Sequence, residues 1–331
     1  MTTASIWDQE VAVPENVISS VNNHVLVKLP AGLTVVGIYP HGASYWTHTA
    51  EIKTKNAQNN AVSFLKVSQG DNAKGIICGE FHSITPLHSA LPELVPKPIA
   101  WGTYNDDPET HFFLCHFHTM TGDVPDMADF PAMVAQLHRN GVSLNGKFGF
   151  PVTTYQGRLA QDTTECDTWE ESFSRGIEHF FKAEEEAQGP DKEMTELRRG
   201  IMKTVIPRLL RPLETDGRKV IPRLVHRNLW DGNTSVDAAT GLPIIFDACL
   251  SYAHHEYELA PWRPQQHRIS KQYVTEYLRH FPMSEPVADF DDRNALYCVR
   301  FNLCSSALYP GKLRFRNIVK EEMRELVKKF R

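Results

Sequence analysis

His226-Arg227-Asn228-Leu229-Trp230-Asp231-Gly232-Asn233 is the densest chemical signal in the chain, and Phe246-Asp247 follows it closely. The short apolar runs Leu224-Val225 and Ile244-Ile245-Phe246 bracket this stretch, so it reads as a tight turn between two buried strands. A loop of that kind can bring the amide oxygen of Asn233 and the carboxylate of Asp247 to the same metal ions. Mg²⁺ takes hard oxygen ligands and completes its octahedron with water and phosphate oxygens. Taken singly, Asn233 is an ordinary turn residue and Asp247 an ordinary strand-end cap. It is the pattern as a whole that favours a metal-nucleotide site.

The stretch resembles the His-Arg-Asp-Leu-x-x-x-Asn loop of protein kinases, with its metal-binding Asp on the next strand end. Four of the five fixed positions match, and Asn228 is the one that does not. Upstream the order is also that of a kinase. Lys66 ends the apolar run Val62 to Leu65, placed to reach nucleotide phosphates, and Glu80 on the next helix is placed to pair with it. Between strands, Gly37 to Trp46 contains Gly42-Ala43-Ser44, whose backbone N–H groups can face phosphates. The strand Phe112 to Cys115 reads as a hinge, with backbone groups of Cys115, His116 and Phe117 offered to the adenine edge. Neither His116 with His118 nor His254 with His255 has a third ligand at metal-binding spacing, so they read as polar or core histidines.

Around this centre the chain changes character once. The first part holds short β-type runs at Val25–Val27, Leu33–Ile38 and Ala61–Val67. One helix carries Ile76, Ile77, Phe81 and Ile84, with Pro86 expected to stop it. Beyond the polar Thr119–Pro125 connection the patterns are mainly helical, at Met133–His138, Trp169–Glu186, Glu193–Leu210, Tyr273–His280, Arg293–Leu308 and Val319–Phe330. The expectation is an α+β, protein-kinase-like bilobal fold. Residues 1–118 form a small, mainly antiparallel nucleotide-binding lobe, and 119–331 a larger helical lobe with the catalytic loop and acceptor site.

Composition narrows the function classes. At 331 residues the chain can bury a sizeable core, and a 41% apolar fraction excludes disorder. A formal charge of −5 gives no footprint for nucleic acid. No run of about 18 apolar residues offers a membrane span, and Met1–Ser5 does not open a signal peptide. The six cysteines lack CxxC spacing and several sit in apolar runs, which suits reduced thiols in a cytoplasmic protein.

Larger segments resemble the fructosamine (ketosamine) kinase family, related to aminoglycoside phosphotransferases. That family carries His-Gly-Asp-Leu-Trp-x-Gly-Asn, then Phe-Asp, then Tyr-x-His-x-Glu-Tyr-Glu-Leu-Ala. Here these read His226 to Asn233, Phe246-Asp247 and Tyr252 to Ala260, joined by Lys147-Phe148-Gly149-Phe150 and Asp291-Asp292-Arg293. The resemblance implies transfer of the ATP γ-phosphoryl group, with Mg²⁺, to a sugar hydroxyl of a ketosamine.

Two positions depart from the pattern: Arg227 stands for Gly and Asn228 for Asp. An amide can orient a hydroxyl but cannot take its proton as a carboxylate does. His226, Asn228 and Asp231 are the candidate catalytic residues, Asp231 as a substitute base. Trp230, Trp262 and Arg263 are candidates for the acceptor side. Three readings follow: a ketosamine kinase slowed by Asn228, a nucleotide-binding pseudokinase, or an enzyme whose acceptor needs no base, such as a carboxylate.

Overall fold

The computed structural model describes residues 21–42, 44, 46–55, 60–264 and 267–331. The amino-terminal reading at Met1–Ser5 and the loop residue Ala43 lie outside them. Five antiparallel strands, β1 (Thr34–Pro40), β2 (His48–Lys55), β3 (Asn60–Gln69), β4 (Pro98–Thr103) and β5 (Thr110–His116), form one sheet in the order β1-β2-β3-β5-β4.

Strand alternation decides what this sheet presents to each side. Leu65 and Val67 of β3 join Phe112 and Leu114 of β5 on the outer face, under Val25 of the short helix α1 (Asn23–Leu26). Phe113 and Cys115 of β5 take the inner face, with Ile77, Ile84 and Leu87 of α2 (Ala73–Ala90). Lys66 is paired in register with Phe113, so its side chain is directed at α2.

The sequence reading needs correction at four places. Val25–Val27 is not a strand, because Asn22 caps a helical turn there with its side chain on the His24 N–H. Pro86 lies inside α2 instead of ending it, since apolar burial continues on both sides of it at Ile84 and Leu87. Strand β2 went unread because polar and charged residues break its apolar run, and β4 because its apolar run is only Ile99 to Trp101, set between Pro98 and Gly102 and nowhere fully buried. The helix expected over Glu193–Leu210 is α5 (Lys192–Gly200), a π turn (Ile201–Val205) and α6 (Ile206–Leu210). Pro207 in the first turn of α6 has no N–H to give, and the π turn accommodates the lost bond.

The second lobe is helical, with α3 (Asp129–Asn140), α4 (Trp169–Gln188), α7 (Lys271–His280), α8 (Phe290–Leu308) and α9 (Leu313–Lys329) beside α5 and α6. Its largest core joins Phe173, Ile177 and Phe180 of α4 to Leu296, Val299 and Leu303 of α8 and to Met323 of α9. Short two-stranded pairs join β6 (Tyr155–Gln156) to β7 (Leu159–Ala160), β9 (Thr234–Val236) to β10 (Pro243–Ile245), and β8 (Arg223–Val225) to β11 (Ser251–Ala253).

The 3₁₀ segment His255–Trp262 is pinned to α8 by a fully buried ion pair. Glu256 receives two hydrogen bonds from Arg293, at 2.8 and 3.0 Å. All six cysteines are free, and all but Cys78 are buried. No helix among the described residues is long and apolar enough to cross a membrane.

A candidate nucleotide and acceptor site

Two adjoining cavities, of about 300 and 290 Å³, open between the sheet and the helical lobe. They share Ser44, Lys66, Glu80, Gly232, Phe246 and Asp247. The hinge residues Cys115, His116 and Phe117 line one, and Asn228, Trp230 and Asn233 line the other. The two together match the needs of a nucleotide with an acceptor beyond its terminal phosphate.

At the junction, Lys66 Nζ lies 2.8 Å from both Glu80 oxygens and is also ion-paired to Asp247. Glu80 falls on the same stripe of α2 as Ile77, Ile84 and Leu87, so the helix drives a carboxyl into an apolar contact. Burial pushes its pKa up, to about 7, with Asp247 adding repulsion and the Lys66 cation opposing both. One cation between two carboxylates leaves the junction short of positive charge, a setting suited to a divalent metal. Lys66 itself is held firmly protonated, because the two carboxylates outweigh its burial.

Asp247 adopts a left-handed backbone, φ 58°, uncommon for a residue with a side chain. Asn233 donates from Nδ2 to the Asn228 carbonyl at 2.9 Å, which leaves its hard oxygen, Oδ1, as the atom that could take a metal. The Phe246 N–H donates to the Asn233 carbonyl at 3.1 Å and ties the segments that carry Asn233 and Asp247 together. Gly232 is required beside them, since a Cβ there would meet the Trp230 ring at 2.4 Å.

The candidate base position is fixed by donor arithmetic. Arg300 only donates, so it fixes Gln156 with Oε1 as the acceptor, at 2.6 Å. Gln156 Nε2 must then donate to Asn228 Oδ1, at 3.1 Å. The second group of the Asn228 amide is therefore Nδ2–H, a donor.

Several assignments from the sequence change here. His226 is buried beneath the loop, receiving the Asn228 N–H at 3.3 Å and bonding the Phe246 carbonyl through Nε2 at 3.0 Å. Burial depresses its pKa, against the pull of Glu258. It positions the loop and does not line the cavity. Asp231 is turned to His267, 2.9 Å from Nδ1, and is held below the usual carboxylate range because that bond outweighs its burial. It is absent from the cavity wall, whereas His267 lines it.

Trp262 is fully buried and donates to the Leu229 carbonyl at 2.8 Å, so it supports the loop from beneath and does not line the cavity. Arg263 is held by Asp291 at 2.8 Å, away from the cavity. At the hinge, the N–H of His116 goes to the Lys97 carbonyl (2.9 Å) and that of Phe117 to the Val62 carbonyl (3.2 Å), so neither is the donor to the base.

Ser44 is engaged within its own loop, receiving the Thr47 hydroxyl at 2.9 Å, while Gly42 takes φ 76° as a tight phosphate-facing turn would. The buried cluster His254, His255 and Glu256 is no metal site. Its ligand atoms are engaged by Tyr297 and Ser284, by the Pro282 carbonyl and by Arg293, respectively.

Sequence reasoning missed Gln156, Arg300 and Glu258. Glu258 is buried and its carboxylate accepts the N–H groups of His226 and Arg227, the latter at 3.0 Å, so it holds the catalytic loop by its backbone. Glu258→Ala would strand two buried donors. We expect a loss of about 3 kcal/mol in chemical denaturation, with Glu258→Gln, which keeps an acceptor oxygen, losing less. Equal losses for the two would show that the acceptor role is not what matters.

Comparison with known proteins agrees with this geometry. The family profile described as "Fructosamine kinase" matches residues 46–329. A mouse (Mus musculus) ketosamine-3-kinase is 38% identical over 221 residues, covering 60% of this chain and 68% of that protein. A ketoamine kinase homologue from Enterococcus faecium is 29% identical over 140 residues, 41% of this chain and 46% of that one.

Among solved structures, a protein assigned as a fructosamine-3-kinase from Thermobifida fusca superposes with a TM-score of 0.71 at 19% identity, over 93% of this chain and 100% of that one. The aminoglycoside phosphotransferase APH(4)-Ia, bound to AMP-PNP and hygromycin B, gives 0.60 at 15% identity over 93% and 98%. These two establish the kinase-like bilobal fold. With the profile spanning most of its length, the chain belongs to the fructosamine kinase family.

Proposed function

We propose that the chain is an ATP- and Mg²⁺-dependent small-molecule kinase that phosphorylates a sugar hydroxyl of a ketosamine, at a rate limited by Asn228. The observation that carries this is the junction of Lys66, Glu80, Asn233 and Asp247 between two connected cavities. Family membership supports a small-molecule acceptor. A module that had given up nucleotide chemistry would have no need of this charge arrangement.

In this reading Lys66 neutralises the nucleotide phosphates while Glu80 keeps it aimed. Asn233 Oδ1 and the Asp247 carboxylate would hold magnesium, which when bound would offset phosphate charge. The acceptor oxygen bonds to the γ-phosphorus as the bond to the β-phosphate oxygen breaks, and the nucleoside diphosphate departs. Asn228 Nδ2–H donates to a lone pair of the acceptor oxygen and orients it, and the hydroxyl proton is released to water. Positioning and electrostatics are the larger part of phosphoryl-transfer catalysis, so slow turnover persists without a carboxylate base.

The donor polarity of Asn228 favours one second reading, an acceptor oxygen already ionised, such as a carboxylate. Both readings are tested by incubating the protein with labelled ATP, Mg²⁺ and either a fructosylated amine or a carboxylate panel. A stable phosphate ester on the sugar is expected. A hydroxylamine-labile product would move the assignment to an acyl phosphate, and absence of Mg-ATP binding would overturn both.

A further inference from the structure

The end of α8 forms one wall of the cavity that holds Asn228. Phe301, Cys304, Ser305 and Leu308 line it, and their spacing of three and four residues puts them on one face of that helix. Tyr309 at the helix end lines it too, as does Trp46 from the β1–β2 turn. The β6–β7 turn joins this wall to the base position. Gln156 Nε2 reaches Asn228 Oδ1 at 3.1 Å, and on the next residue, Gly157, a Cβ would meet Trp46 Nε1 and Leu308 Cδ2, each at 3.0 Å. Gly157 has φ 58°, so glycine both makes the turn and lets those two side chains close in on it. The apolar wall therefore begins one residue from the group that touches Asn228.

Charge is confined to the other end of the cavity. The carboxylates that line it are Glu80 and Asp247, both at the junction and both paired with Lys66. His267 is turned to Asp231, 2.9 Å from Nδ1. Arg158 is exposed and outside the lining, with its Cζ 5.7 Å from the Trp46 ring centre, so a cation already attends this wall.

With nucleotide phosphates at the junction, the part of an acceptor remote from its reacting hydroxyl is left with the α8 wall. A charged group there would give up water without meeting a partner of opposite sign among the lining residues. A hydrocarbon ring would gain by the same loss of water. The inference rests on the reading of the chain as a ketosamine kinase: we propose that its preferred acceptor is a ketosamine whose amine carries a compact, uncharged apolar substituent, packed against Trp46 and the α8 face at Phe301 and Leu308. The cavity volume of about 300 Å³, at the lower end for small-molecule sites, suits a substituent of ring size.

Calorimetric titration in Mg²⁺ and AMP-PNP tests this with the fructosyl derivatives of benzylamine, ethylenediamine and glycine, whose substituents are apolar, cationic and anionic. The benzylamine derivative is expected to bind at least about 10-fold more tightly than either of the others, the lower end of what a hydrophobic pocket discriminates. Leu308→Asp puts a carboxylate on the wall at a partly buried position, and it is expected to reverse the order of the benzylamine and ethylenediamine derivatives. Equal affinities or no binding in the native protein, tighter binding of a charged derivative, or an unchanged ratio in Leu308→Asp would overturn the proposal. Labelled ATP reports separately on the kinase reading. An apolar preference in binding without phosphoryl transfer to any of the three, in native protein or Asn228→Asp, would remove that reading and leave the apolar subsite standing.

Discussion

Asn228→Asp is expected to raise kcat/KM for a ketosamine by about 10²- to 10⁴-fold, the usual contribution of a general base. The surroundings accept the change without rearrangement. Gln156 Nε2, held by Arg300, donates to Asn228 Oδ1 and would donate in the same way to one oxygen of an aspartate. The other oxygen would then occupy the place of Nδ2 and offer the acceptor hydroxyl a lone pair in place of an N–H. Arg227 and Arg300 add positive potential nearby and favour the ionised form.

The pH dependence gives a second sign. Asn228 does not titrate, so the native profile has no limb from this position, while the variant should lose activity as pH falls toward the carboxylate range, about 4. An increase below threefold, or a variant profile without that limb, would show that the missing carboxylate is not what limits the reaction.

The fold was largely legible because its chemistry is concentrated in a few short segments. Lys66 follows an apolar strand, Glu80 sits in an apolar helical stripe, and Asn233 and Asp247 flank one hairpin, so sequence order alone suggested a shared cleft. What the sequence could not show were the long-range partners. Gln156 and Arg300 meet across 144 positions, and Glu258 reaches back 31 positions to the Arg227 N–H. Nothing in local periodicity marks such contacts.

Asp231 and Trp262 show the reverse failure. Asp231 lies within one recognisable motif and Trp262 beside another, yet tertiary packing turns Asp231 to His267 and buries Trp262 under the loop. Proximity in sequence to a catalytic segment was a poor guide to which side of the loop a side chain would take. At the hinge the sequence placed Cys115, His116 and Phe117 beside the cavity they line, but could not show that the N–H groups of His116 and Phe117 go to neighbouring backbone carbonyls, a pairing set by three-dimensional adjacency.

Lys66 and Asp247 allow a prediction in which two variants of one ion pair part company. Asp247→Ala removes a proposed metal ligand but leaves Lys66 with Glu80, at 2.8 Å. Mg²⁺-dependent ATP binding is expected to weaken by about 10- to 100-fold, the scale on which disturbing a metal site costs affinity. Mg²⁺ alone should bind more weakly as well. Lys66→Ala leaves Glu80 and Asp247 facing each other without their shared cation. Repulsion then pushes Glu80 above its already raised value of about 7, and the two acids attract a divalent ion more strongly than the native site does. ATP, deprived of the Lys66 charge, should bind more weakly in this variant too. Calorimetric titration with Mg²⁺ alone and with Mg-ATP therefore separates the two: ATP affinity falls in both, while affinity for the bare ion falls in Asp247→Ala and rises in Lys66→Ala. If the bare-ion affinities of both variants matched the native protein, the metal would lie elsewhere, and the charge shortage at this junction would need another explanation.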